Sequence, residues 1–228
     1  MDNQLLALLQ IGDSNFPSGA FSHSFGLETY IQENAVHSKD TFFEWLRIYL
    51  EKQMAYTDGL AFRLTFDALL KNEMEEIWRL DQKLFMQNLP KESREANRRI
   101  GERLIRTGLD LYSIPLLEVY LKKIRAKEVH GHPGLVFAII CQHLEIEKRQ
   151  GILTFLYSSM MTLIQNGVRG IPLGQTAGQH ILLELQPYLL KTTDKIESLD
   201  QDDFGAVAPG IEIAQMRHER LHTRLFMS

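Results

Sequence analysis

Residues 41–50 read Thr-Phe-Phe-Glu-Trp-Leu-Arg-Ile-Tyr-Leu, and the spacing of their apolar side chains decides the fold class. These side chains recur at intervals of three and four residues: Phe42, Trp45, Leu46, Tyr49 and Leu50. Such spacing places them on one side of an α-helix. Ser38 lies just before the run and is suited to an N-cap. The stretch therefore predicts an amphipathic helix that buries one face.

The same helical period extends along most of the chain. It predicts further helices at 57–71, 73–87, 91–110, 114–125, 134–144, 146–167, 174–191 and 211–226. Four prolines lie near predicted helix starts, where a missing N–H costs nothing: Pro90, Pro115, Pro133 and Pro172. No segment alternates with a period of two. The sequence thus predicts an all-α fold, a single bundle-like domain of about eight to ten helices.

The composition narrows the class of protein. The chain has 228 residues, 44% of them hydrophobic and 24% charged, and a net charge of −4, which does not favour binding to nucleic acid. The longest apolar runs, 135–141 and 152–164, are too short to span a bilayer. The N-terminal residues lack the basic region of a signal peptide. The single cysteine, Cys141, lies in an apolar run and excludes an internal disulfide. We therefore expect a cytoplasmic protein that contacts neither membrane nor nucleic acid.

Residues 192–210 interrupt the helical pattern. They carry five carboxylates against one lysine and end in Pro-Gly, which favours a short helix or turn followed by a mobile linker. We therefore divide the chain into a helical domain at 1–191, an acidic linker at 192–210 and a C-terminal helix within 211–228. That helix has an apolar seam and a basic stripe, so it could dock on a partner or pack on its own domain.

The segment 16–28 is rich in glycine, serine and phenylalanine, a composition typical of catalytic loops and of recognition surfaces. It contains Ser22-His23-Ser24. Neighbouring side chains point in different directions, so His23 is poorly placed to activate either serine, and no strand precedes them as a nucleophile elbow requires. We therefore do not expect a hydrolase.

Two further clusters could carry chemistry. His130 and His132 flank a glycine, and His218 and His222 share a helix side, so a nickel- or zinc-binding helical protein is an alternative function. The segment 91–110 carries five arginines, with Glu95–Arg99 and Glu102–Arg106 at the i, i+4 spacing of ion pairs: Arg94, Arg98, Arg99, Arg103 and Arg106. That pattern favours a solvated, self-paired face.

Three blocks of sequence, in this order and over nearly the whole chain, resemble the urease accessory protein UreF family. They are Phe16–Glu28, Val168–Gln175 followed by Gly178-Gln179, and Met216–Glu219 through Arg224–Ser228. A weaker fourth block is Glu95–Gly101. The second block departs at Gly170, where a larger residue is common in the family.

The resemblance implies an all-helical, dimeric scaffold that is not an enzyme and holds no cofactor of its own. It implies three partners: the accessory protein UreD (also called UreH), the GTPase UreG and the urease apoprotein. The complex would handle nickel as its cargo, and GTP with magnesium would be bound by UreG. The implied role is that of an adaptor or chaperone that regulates GTP hydrolysis by UreG.

The resemblance and the helical pattern together predict a partner-binding surface. Its residues are Phe21, His23, Glu28, Arg169, Gln175, Arg217, His218, Arg220 and Arg224. Arg224 is the strongest candidate for organising the surface that meets UreG, and the C-terminal helix is the candidate for ordering by UreD. Alternatively, the phenylalanines of 16–28 anchor a structural loop and His23 caps a neighbouring helix. No catalytic residue is predicted.

Overall fold

Helices are the regular elements of the fold, and the all-α prediction is confirmed. The computed structural model describes residues 2–228. Its α-helices are α1 Asp2–Ile11, α2 Leu27–Gln32, α3 Lys39–Ile48, α4 Leu60–Lys71, α5 Met74–Gln87, α6 Lys91–Tyr112, α7 Pro115–Arg125, α8 Pro133–His143, α9 Lys148–Gly170, α10 Gln175–Ser198 and α11 Pro209–His218. Short 3-10 turns lie at Ala20–Ser22 and Gln201–Asp203. No strand occurs between residues 2 and 228.

The run that predicted the fold opens a long continuous helix. The Ser38 hydroxyl accepts a hydrogen bond from the Thr41 amide and forms a capping box, which confirms the predicted N-cap. Helix α3 then passes without interruption into a π-helical segment, Tyr49–Gly59, and from there into α4. Counted as one rod, these three pieces bring the described residues to ten helices. The sequence pattern missed this continuity, since it predicted a separate helix that begins at residue 57.

Helix α8 forms the centre of the fold. All nine residues from Pro133 to Cys141 are buried, as expected for a helix that is apolar on every side. It packs against α4, α6 and α9. The predicted burial of Cys141 is confirmed, and burial raises the pKa of its thiol. Proline at the first turn of α7 and of α8 agrees with the predicted helix starts.

Helix α10 extends seven residues past the predicted end at 191. Thr192, Thr193 and Ile196 are buried, so this part of the predicted acidic linker is held against the core. Its carboxylates lie outside, where Arg149 binds Asp194 at 2.7 Å. Packing of the inner face outweighs the unfavourable polar composition of the segment.

The last helix is shorter than predicted. Helix α11 ends at His218 rather than at residue 226, and the chain continues to Ser228 in a non-helical path. Beyond α11, the amides of Leu225 and Phe226 donate to a side-chain carboxylate instead of to helical carbonyls. Helix α11 packs against α2 and α6. None of the described helices is both long and apolar enough to cross a membrane.

Candidate functional site

The segment 16–28 folds as a compact loop that leads into α2. Gly19 has a φ of 82°, and the adjacent Phe25 and Gly26 have φ values of 49° and 91°. Two successive left-handed residues turn the chain sharply into the helix, and glycine tolerates this region best. The conformation leaves Phe21 at the surface, 49% exposed, and buries His23 and Ser24 beneath it.

This loop is bound to the end of the chain. The main-chain oxygen of Ser228 accepts hydrogen bonds from the amides of Ser24 and Phe25, at 2.5 and 3.2 Å, and from the Ser24 hydroxyl at 2.7 Å. The Met227 amide donates to the carbonyl of Ser22 at 2.8 Å. Residues 219–228, which we call the tail, are therefore joined to the first family-like block by main-chain contacts.

Glu28 is the buried acceptor beneath the tail. Its carboxylate accepts hydrogen bonds from the amides of Leu225 and Phe226, at 2.5 and 3.1 Å, and from Nε2 of His218 at 2.9 Å. The residue is only 5% exposed. A buried carboxylate needs several donors to offset its lost hydration. The donors to Glu28 lie both in the tail and in α11, so its carboxylate joins the tail to α11.

Glu92, in the first turn of α6, completes the cluster. Its two oxygens accept from Nδ1 of His218 and from the Arg224 guanidinium, each at 2.6 Å. Burial raises the pKa of this carboxyl, but the hydrogen bonds from His218 and Arg224 outweigh it, and the net pKa is lowered. Both ring nitrogens of His218 face carboxylates, so the imidazole ring bridges Glu28 and Glu92. We call Glu28, Glu92, His218 and Arg224 the latch.

His23 lies beside the latch, and its contacts differ from those of His218. Its Nδ1 lies 2.9 Å from the Ser228 hydroxyl, and its carbonyl accepts from the Asn166 amide at 2.8 Å. Burial lowers its pKa to about 4, and the positive charges of Arg99 and His218 act in the same direction. His23 is therefore neutral at physiological pH, a buried structural group directly behind the exposed loop.

Arg169 connects the second family-like block to this region. Its guanidinium carbon lies 4.3 Å from the ring centroid of Phe21 and 5.2 Å from that of Phe226. Cation–π contacts of this kind hold an arginine over an aromatic face. The three blocks that are distant in sequence therefore meet at one surface, with Phe21 and Arg169 outermost.

The structure brings together only some of the predicted surface residues. Those that meet at the latch and the adjoining loop are Phe21, His23, Glu28, Arg169, His218 and Arg224. Gln175 is exposed in the first turn of α10 and has no hydrogen bond to this cluster among the described residues. Arg217 binds Glu33 at 3.2 Å on the outer side of α11, and Arg220 is exposed.

Sequence reasoning missed Glu92, Asn166 and Ser228. Glu92 occupies the acidic first turn of a helix, which is common enough to carry no signal of its own. Asn166 lies in a helical, largely apolar run where an unexplained polar side chain is a weak hint. Ser228 falls in the third block, but its partners lie some 200 residues away in sequence.

Three of the four histidines proposed as metal ligands make other contacts, and the fourth, His222, is exposed in the tail. His130 stacks on the ring of Phe85, and His132 caps α8 by accepting from the Gly134 amide at 3.2 Å. Burial lowers the pKa of both imidazoles. His218 is held by the latch. Within residues 2–228 no group of three or more histidine, cysteine or acidic side chains is placed to hold a metal ion.

A cavity of about 160 Å³ lies beneath the loop, between it, α6, α9 and the π segment. Three carboxylates line it, those of Asp13, Asp58 and Glu212, whereas no lysine or arginine of the described chain does so. His132 Nε2 lies 3.5 Å from the Asp58 carboxylate. The cavity beneath the loop is therefore lined largely by apolar side chains, and the carboxylates among them make it acidic.

These features define a class: an all-helical protein in which three separate sequence blocks build one exposed surface on a charged, partly buried support. Comparison with known proteins gives the family. The UreF family model matches residues 36–186. Urease accessory proteins UreF are similar over essentially the full length of both chains: 51% identical in Lachnoclostridium phytofermentans, over 100% of each chain, and 49% in Bacillus sp. TB-90, over 99% of this chain and 100% of the other. A third, from Geobacillus kaustophilus, is 49% identical over 100% of this chain and 99% of its own. The chain belongs to the UreF family of urease accessory proteins.

Proposed function

We propose that this protein is a non-catalytic adaptor that works with UreD (UreH) and the GTPase UreG to assemble the nickel centre of urease. In this role it recruits UreG and regulates its GTP hydrolysis, acts as a homodimer in the cytoplasm, and hands nickel on only as part of the complex. GTP and magnesium are bound by UreG. Family membership supports the pathway, and the surface built by the three blocks supports the adaptor role.

One observation carries the proposal. The latch joins the first block, the first turn of α6 and the tail through Glu28, Glu92, His218 and Arg224, and the surface above it exposes Phe21. The tail contributes mostly exposed side chains and is held by a handful of polar contacts and by the buried ring of Phe226. A segment of this kind can order or detach when a partner binds, without unfolding the helices beneath it.

Co-purification tests the role directly. The full chain, UreD and UreG are mixed with nickel-free urease and GTP, and the captured complex and the urease activity it generates are measured. We expect Arg224→Ala to lose UreG capture and urease activation while UreD capture persists. The matched control is Arg79→Ala, whose side chain is 70% exposed on α5. Equal activation by wild type and Arg224→Ala would contradict the proposed role of the latch.

Limited proteolysis tests whether UreD orders the tail. We propose that residues 205–228 are cleaved faster in the free protein than in its complex with UreD. Protection is measured by mass spectrometry of the fragments, with the exposed Gly174 region as internal reference. Equal cleavage of 205–228 with and without UreD would show that the tail does not depend on that partner.

A further inference from the structure

An unpaired cluster of arginines surrounds the exposed loop. The sequence predicted that Glu95 pairs with Arg99, but this prediction is wrong, because Arg98 binds the Glu95 carboxylate at 3.0 Å. Within residues 2–228 Arg99 has no carboxylate partner within 4 Å. Its charge is nevertheless close enough to His23 to contribute to the lowered pKa of that imidazole. Arg99 therefore extends a free positive charge beside the loop.

Two more arginines lie against the same loop. The Nε of Arg103 donates to the carbonyl of Pro17 at 3.1 Å, and its side chain lies alongside Gly19. Arg169 covers the ring of Phe21 from the other side. Neither forms an ion pair with any carboxylate of the described chain. We call Arg99, Arg103 and Arg169, together with Phe21, the arginine face.

Nearby carboxylates do not neutralise this face. Glu92 is occupied by His218 and Arg224, and Glu28 by His218 and the tail amides. Both latch carboxylates are thus engaged by groups within the latch and the tail. Within residues 2–228 the three arginines of the face form no ion pair, so the face is locally positive in a chain whose net charge is −4. Such a local excess attracts an oppositely charged surface and speeds its approach.

We propose that the arginine face docks a protein surface that presents carboxylates around an apolar pocket. Phe21, half exposed and flanked by guanidinium groups, is the apolar anchor, and aromatic and arginine side chains dominate the energetics of protein interfaces. The carboxylates of the partner pair with Arg99 and Arg103 around it. The inference rests on the proposed function in taking UreG as this partner, and leaves UreD to another face.

Charge reversal of the arginine face tests the inference. The double variant Arg99→Glu, Arg103→Glu is compared with Arg79→Glu, Arg125→Glu, which makes the same change of net charge on exposed positions of α5 and α7. The association rate of UreG with the preassembled complex of full chain and UreD is measured from low to high NaCl. We expect a loss of about tenfold or more at low salt for the first variant only. The loss should shrink as salt screens the charges.

The outcomes separate this inference from the proposed function. If the wild-type complex does not bind UreG, both fail. If it binds UreG and both double variants behave like wild type, or both slow binding equally, only the arginine face is refuted. Should the charge-reversed chain not fold, Arg99→Gln with Arg103→Gln replaces it, with an expected loss of about threefold. UreD binding must stay unchanged in every folded variant; a loss there would refute the assignment of separate faces.

Discussion

Two carboxylate sites hold this molecule together, and they do so differently. Asp81 is fully buried and accepts from neutral donors: the amides of His130, Gly131 and His132 and the hydroxyl of Tyr120. Burial of the Tyr120 phenol raises its pKa well above the usual range, and the charge of Asp81 and its hydrogen bond to the phenol act in the same direction. The latch instead combines main-chain amides of the tail with the side chains of His218 and Arg224, nearer the surface. The first arrangement fixes the core, whereas the second fixes a removable segment.

The physical difference is what happens when the acceptor is lost. Around Asp81 the orphaned amides remain buried, because the 130–132 loop lies tightly on α6: a Cβ at Gly101 would meet the Gly131 carbonyl at 1.7 Å. At the latch, by contrast, water can hydrate the tail amides once the tail has separated from Glu28. Unsatisfied buried donors are costly and hydrated ones are not. The fold should therefore depend far more on Asp81 than on the latch.

Removing the Asp81 carboxylate should have the largest effect. We expect Asp81→Ala to lower the free energy of unfolding by about 4 kcal/mol or more, since four buried donors lose their acceptor. Urea denaturation followed by circular dichroism measures this. Asp110→Ala, at an exposed position of α6, is the control and should change little. A loss below about 1 kcal/mol for Asp81→Ala would refute the view that this carboxylate holds the core.

Removing the central carboxylate of the latch should cost less. We expect Glu28→Ala to lower the free energy of unfolding by about 2 kcal/mol, because the tail amides can reach water and only the buried Nε2 of His218 is left without this acceptor. The same denaturation experiment applies, with Glu33→Ala as the surface control. If Glu28→Ala were as damaging as Asp81→Ala, the contrast between the two sites would be lost.

His23 should make stability depend on pH. Its folded pKa of about 4 lies below the usual 6.5, so between these values the unfolded chain binds a proton that the folded chain refuses. Stability should therefore fall as the pH drops from 6.5 to 4, by about 3 kcal/mol from this residue. At pH values below the usual pKa of a carboxyl group, Glu92 adds a further loss of stability, since its pKa is lowered in the folded chain.

The matched variant isolates the contribution of His23. His132 also has a lowered pKa and gives a slope of the same sign. Urea midpoints are therefore measured from pH 4.5 to 7.5 for wild type and for His23→Asn. We expect a shallower slope in the variant; identical slopes would mean that His23 does not titrate as its burial implies.

Phe21→Ala should have the smallest effect on the fold. The ring is 49% exposed and its contact with Arg169 is worth about 0.5 kcal/mol at such a site. We expect near-normal melting and UreG binding weaker by about tenfold. Met86→Ala, at a side chain that is 72% exposed on α5, controls for the loss of any surface apolar group. Unfolding of Phe21→Ala would instead favour the alternative in which the phenylalanines anchor a structural loop.

The sequence predicted most of the local structure and missed the contacts between distant residues. Helical periodicity and Ser38 located α3, and the prolines located the starts of α7 and α8. The helix was predicted to run to residue 226, but the amides of Leu225 and Phe226 donate to Glu28, an acceptor about 200 residues away that no local pattern reveals. The Glu95 pair was predicted at i, i+4 but formed at i, i+3, a choice that depends on rotamers.

The candidate site was predicted through resemblance more than through pattern. The family-like blocks pointed to Glu28, Arg169 and Arg224, yet no sequence pattern predicted that Glu92 would be the second carboxylate of the latch. Contacts such as His218 with Glu28, 190 positions apart, exist only after the helices have packed. The spacing of residues along the chain does not predict such contacts.

Amide hydrogen exchange in Glu28→Gln tests the central claim most directly, the claim that the latch holds a segment that can separate from an intact core. The amides of Leu225, Phe226 and Met227 are compared with those of α8 in the variant and in wild type. The account predicts that the tail amides lose protection while α8 keeps it. Unchanged tail protection, or a loss that spreads equally through α8, would contradict it.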